Sequence, residues 1–97
     1  MRRNDDRASF ETKANLHEIG NSIEGKLEAR RLASFRELVD VGEFGVALEN
    51  LCANLADDEI PLNPSTRKKI LDLCALLALD PKYASLLGNY GEGFEQR

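Results

Sequence analysis

From about Phe10 onward the apolar positions recur at three- and four-residue intervals, the spacing that lines up one face of an α-helix. Leu16, Ile19, Ile23 and Leu27 make the first row. Gly20 and Gly25 weaken it, so the pattern predicts a helix that ends near Glu24, with Gly25 opening a turn. Leu32, Phe35, Leu38 and Val39 make a second row and predict a helix over 28–40. Gly42 follows at the C-terminal cap, where glycine takes a positive φ at little cost. Glu43 opens a third helix, its carboxylate suited to the positive end of the helix dipole. Ala47, Leu48, Leu51, Cys52 and Leu55 are the expected buried face, and Gly45 leaves room for another backbone to approach. So short a connection makes the second and third helices neighbours in space.

Residues 57–64 read as a loop with three consecutive acids and two prolines, with Ile60 and Leu62 tucked onto the core. Asn63 before Pro64 is the signature of a helix start, Asn as N-cap and Pro in the first helical position. This fourth helix carries Ile70, Leu73, Cys74 and Leu77, with Leu71, Leu76 and Leu79 as a second flank. So wide an apolar surface predicts a place near the middle of a bundle. Asp80-Pro81 repeats the start signal for a short last helix with Tyr83, Leu86 and Leu87. No strand is required. The expected fold is all-α, a compact bundle of four helices plus a short C-terminal fifth helix. It forms a single helical domain over 1–97, with 1–9 and 88–97 as mobile tails.

Ninety-seven residues support one modest core, and with six aromatics and no Trp that core is mostly Leu, Ile and Ala. The longest apolar run, Cys74 to Leu79, is far short of a membrane span, and the opening MRRNDDR is no secretory leader, so the expected location is cytoplasmic. Cys52 and Cys74 sit in apolar helical contexts without CxxC spacing and read as reduced core thiols, with a disulfide or a reactive thiol as the alternative.

Charge is distributed unevenly. Residues 37–66 hold seven carboxylates, Glu37, Asp40, Glu43, Glu49, Asp57, Asp58 and Glu59, and no basic side chain, while the net charge of the whole chain is −4. A field of this sign disfavours nucleic acid and steers cationic proteins toward it. The same carboxylates would also serve simply as a solvated face. The expectation is that they share one exposed side and form a partner-binding surface.

Catalytic chemistry finds little support. His17 is the single histidine and has no metal-ligand spacing around it, and three Cys and His in all are too few for a zinc site. No GxSxG, GxxxxGK[ST] or GxGxxG motif occurs. No catalytic residue, metal or cofactor is expected, and the chain reads as a non-enzyme. Arg67, Lys68 and Lys69 resemble the leading end of a recognition helix. Cations in a first helical turn oppose the dipole, however, and the acidic segment repels phosphates.

Residues 38–62 read LVDVGEFGVALENLCANLADDEIPL. A helix ends in Leu38-Val39-Asp40, the turn Gly42-Glu43-Phe44-Gly45 follows, then Ala47 to Cys52, and an acidic segment leads into Ile60-Pro61-Leu62. This resembles the MafI family of bacterial immunity proteins, the antidotes to MafB-type polymorphic toxins, over roughly residues 16–87. Phe44 stands where the family pattern has a larger aromatic, and Ala56 where it carries an aromatic, departures that bear on partner choice. The resemblance implies a cytoplasmic protein, a monomer or weak homodimer, that binds and neutralises a cognate toxin domain. Such toxins are often nucleases with basic active surfaces. The rival expectations are a small helical adaptor or regulatory protein without a toxin partner, and a DNA-binding regulator.

Overall fold

Helix ends are where this sequence is most explicit, and among the described residues they delimit five helices. The computed structural model describes residues 2–88, with side chains described for 9–87. The helices are α1 (Arg2–Ile23), α2 (Ala29–Asp40), α3 (Phe44–Asp57), α4 (Pro64–Leu76) and α5 (Pro81–Gly88). Among the described residues there is no strand, only an isolated bridge between Glu24 and Leu27 in the α1–α2 turn. The fold is the expected all-α bundle with a short C-terminal helix. Of the segment expected to be a C-terminal tail, Gly88 closes α5, and 89–97 lie outside the described residues. α1 starts at Arg2, well ahead of the start near Phe10 that the apolar rows predict.

The start signals work as written. The side-chain oxygen of Asn63 accepts the Thr66 amide at 2.8 Å with Pro64 in the first helical position, and the Asp80 carboxylate accepts the Lys82 amide at 3.0 Å. Each bond satisfies one of the amides that a helix leaves without an internal partner. Glu43 behaves differently. It flanks α3 and its backbone carbonyl accepts the Ala47 amide at 2.9 Å, but its side chain makes no capping bond.

Three helix ends share one geometry. At the end of α2 the Glu43 amide reaches the Leu38 carbonyl (2.9 Å) and the Gly42 amide reaches Val39 (3.0 Å), with Gly42 at φ +85°. This is the Schellman closure, which needs a left-handed residue just past the helix. The ends of α3 and α4 close the same way, Ile60 to Leu55 and Leu79 to Cys74, but the left-handed positions are held by Glu59 (φ 47°) and Ala78 (φ 53°). A Cβ there crowds the following carbonyl. Both closures end in an apolar residue turned inward: Ile60 is buried, and Leu79 packs against the core.

Leu16, Ile19, Ile23 and Leu27 from the first segment meet Leu32, Phe35 and Val39 of α2, the five expected positions of α3, and Ile70, Leu73 and Cys74 of α4 in one core, with Leu87 of α5 added. α3, not α4, is the central helix: it packs against α1, α2, α4 and α5. The wide apolar surface of α4 is only partly used, since Leu76 is 67% exposed. The close approach expected at Gly45 is found at Gly20. A methyl group on Gly20 would come within 3.2 Å of the Arg36 Nε and 3.4 Å of Phe35, so this glycine lets α2 lie against α1. Gly45 instead faces the Leu79 side chain at ordinary contact distance, 3.7 Å, with no backbone close by.

Candidate partner-binding surface

α2 and α3 are joined by the tight turn at Gly42 and lie side by side, so the two ends of α3 carry different sets of acids. Asp40 and Glu43 belong to the turn itself. Asp57, Asp58 and Glu59 lie at the far end of α3, a helix of 14 residues and so roughly 20 Å long. The three are not loop residues as the sequence suggests. Asp57 closes the last turn, Asp58 is the C-cap, and Glu59 is the left-handed residue of the closure.

Glu37 lines the groove between α2 and α3 with Ser34, Leu38, Val41 and Asn50. Glu49 is half-buried on the opposite flank of α3. It stands one turn beyond Gly45, the residue that faces Leu79. The seven carboxylates therefore do not share one exposed side. Helix periodicity sends Glu37 and Glu49 to opposite flanks, and helix length separates the remaining five into two clusters.

Two of the seven are engaged internally. His17 Nε2 lies 2.8 Å from an Asp40 carboxylate oxygen, tying α1 to α2. Arg31 donates to Asp58 at 3.2 Å and also approaches Glu28 at 3.6 Å, so an arginine of α2 offsets part of the charge at the far end of α3. Among the described residues no ion pair is seen for Glu37, Glu43, Glu49, Asp57 or Glu59. Asp40, Asp57 and Asp58 all stand at helix C-termini, the negative end of the dipole, where a carboxylate is unfavourable for the helix itself.

Sequence reasoning passed over the apolar part of this surface. Val41 is 70% exposed and stands between Asp40 and the capping Gly42. Val46, 43% exposed, lies one turn before Asn50 on the outer side of α3. With half-buried Leu38 they put an apolar strip beside Glu37, Asp40 and Glu43. The signal was present: Val41 falls outside the Leu32–Phe35–Val39 row, immediately before a capping glycine, so it has nowhere to point but outward. At this turn exposed apolar area and carboxylates meet.

The basic trio looks less available than its sequence suggests. Arg67, Lys68 and Lys69 fall in the second turn of α4, not the first. Lys68 bonds Asp72 at 3.2 Å, and Lys69 reaches Glu18 of α1 at 3.1 Å. Among the described residues no group of three or more His, Cys, Asp or Glu is placed to hold a metal ion, and no helix is long and apolar enough to cross a membrane.

The chain matches no family model, no curated protein and no solved structure. What bears on its role is the arrangement of residues described above.

Proposed function

We propose that this protein is an immunity protein of the MafI kind, a stoichiometric, non-catalytic antidote that binds and neutralises a cognate bacterial toxin domain in the cytoplasm. The observation that carries the reading is the α2–α3 turn. Val41, 70% exposed, and Leu38 form an apolar anchor edged by Glu37, Asp40 and Glu43. Interfaces of this anatomy draw their affinity from a desolvated apolar centre and their specificity and association rate from the charged rim. A nuclease toxin presents a cationic surface to its polyanionic substrate, and carboxylates held on a rigid helical hairpin occupy the same field. Asp57, Asp58 and Glu59 form a second acidic region suited to an extended basic face. The paired state of Lys68 and Lys69 favours this reading over a DNA-binding regulator.

The test is co-expression with the toxin domain encoded by the neighbouring reading frame. The protein restores growth and co-purifies in equal amounts with the toxin, and Val41→Asp loses both effects while its melting midpoint stays within a few degrees. A neighbour that is harmless, or a toxin that ignores the chain, returns the protein to the class of helical adaptors.

A further inference from the structure

We propose that the outer face of α2 pairs with the same face of a second copy of this chain, the two helices antiparallel about a two-fold axis, with Arg30 of each copy set against Glu37 of the other. α2 is an edge helix: it packs against α1 and α3 and meets neither α4 nor α5. Its outward line carries Arg30, Ser34, Glu37 and Val41, all exposed and spaced four, three and four residues apart. Among the described residues no ion pair is seen for Arg30 or Glu37. None of their neighbours three or four residues away carries the opposite charge. The two stand two turns apart, roughly 10 Å along the axis, too far to pair within the helix. Each is an exposed charge that the fold leaves unanswered.

A purely cationic or purely acidic partner would satisfy one of these two charges, whereas a copy of the chain satisfies both. Turning a second α2 end for end about a point between Ala33 and Ser34 brings Arg30 opposite Glu37 of the partner subunit, and the reverse, because a two-fold contact uses one patch twice. A parallel arrangement in register would set Arg30 on Arg30 of the partner subunit and Glu37 on Glu37 of the partner subunit, so the charges select the antiparallel one. Ala33 and Ser34 at the midpoint are exposed and short, which lets the two helices approach. The same rotation sets Val41, the exposed C-cap of α2, opposite the beginning of the other helix. There an open cleft of about 510 Å³ has Lys26, Ala29 and Ala33 in its lining. Val41 is the apolar side chain for that cleft, and the Lys26 stem lies over it. One operation therefore matches both the charges and the relief of this face. With only 12 residues in α2 the contact is small, which makes the pair reversible and dependent on concentration. Glu37 and Val41 also belong to the surface proposed above for a toxin, so the two associations exclude each other, but the pairing draws on no part of that reading.

The experiment is sedimentation equilibrium of the full chain at low ionic strength, from about 1 µM to about 1 mM. The mass is expected to rise from 10.8 kDa toward twice that value, and added salt to lower it again. Arg30→Glu and Glu37→Lys each place like charges at both symmetry-related contacts and are expected to raise the dissociation constant roughly tenfold or more. Neither endangers the fold, since an acid in the first turn of α2 and a base in its last turn suit the helix dipole, and thermal melts check this. An equal mixture of the two variants restores opposite charges at both contacts and is expected to associate about as well as the parent chain. A chain that stays monomeric throughout, a dimer that both variants leave intact, or a mixture that associates no better than either variant alone would each overturn the inference. No toxin enters these measurements, so their failure is separate from any failure of the proposed function.

Discussion

Arg31 on α2 donates to Asp58 at the C-cap of α3 across 3.2 Å, an ion pair between residues 27 apart in sequence. It closes the open end of the α2–α3 hairpin, opposite the turn at Gly42. It also separates Asp58 from its neighbours: of three consecutive acids, one is held within the fold, and no ion pair to a described residue holds the other two. The pair is about two-fifths exposed, which keeps its contribution to stability within roughly 1 kcal/mol. Asp58→Lys faces Arg31 with a like charge, which offsets what a cation gains at the C-terminal end of the α3 dipole, whereas Asp57→Lys keeps that gain and has the higher melting midpoint of the two. Equal midpoints for the two variants in a thermal melt count against the pairing.

The strained closures give a prediction with the opposite sign. Ala78 occupies the left-handed region at φ 53°, where glycine has no Cβ to crowd the chain. Ala78→Gly is expected to stabilise the protein by about 0.5–1 kcal/mol, the relief of strain being partly offset by the freer unfolded chain, and so to raise the midpoint by several degrees. Glu59→Gly, at φ 47°, follows the same course in a melt while removing a carboxylate from the acidic end of α3. A gain in stability with a loss of partner affinity in that variant is the expected signature of a residue kept for binding.

The Asn63 cap is testable alone. Asn63→Ala removes the acceptor for the Thr66 amide and is expected to cost about 1 kcal/mol, measured by urea denaturation, while Asn63→Asp or Asn63→Ser retains most of the stability.

Leu48 is fully buried at the centre of α3, the helix that touches every other one. Leu48→Ala leaves a cavity there and is expected to cost roughly 2–5 kcal/mol, a large share of what a domain of this size has. Leu73→Ala, 6% exposed on α4, falls toward the lower end of that range. Chemical denaturation of both variants checks the order.

At the proposed docking surface, Val41→Asp is expected to lower affinity for the toxin domain at least tenfold by calorimetry. Its effect on stability stays within about 0.5 kcal/mol, because a residue this exposed contributes little to the core. Glu37→Lys weakens association chiefly through the on-rate, and the effect shrinks as salt is raised.

Much of the local chemistry was legible in the chain, though not the start of α1 or the left-handed Glu59 and Ala78. Periodic apolar rows located five helices and nearly the whole core, because a buried helical face must repeat every three to four residues. Asn63-Pro64, Asp80-Pro81 and Gly42 marked helix ends, because the unpaired amides and the positive φ that helix ends require admit few residue types. What involves two segments at once came only from the tertiary structure. The sequence placed seven carboxylates within one stretch, but the turn at Gly42 and the length of α3 set them in separate clusters. Gly20 looked like a weak point in a helix until Phe35 and Arg36 were seen against it, and α4 looked central until α3 was found to touch all the others. Arg31 with Asp58 and His17 with Asp40 are likewise invisible along the chain. Helix propensity and capping act within a few residues, whereas which faces meet is decided by packing between helices far apart in sequence.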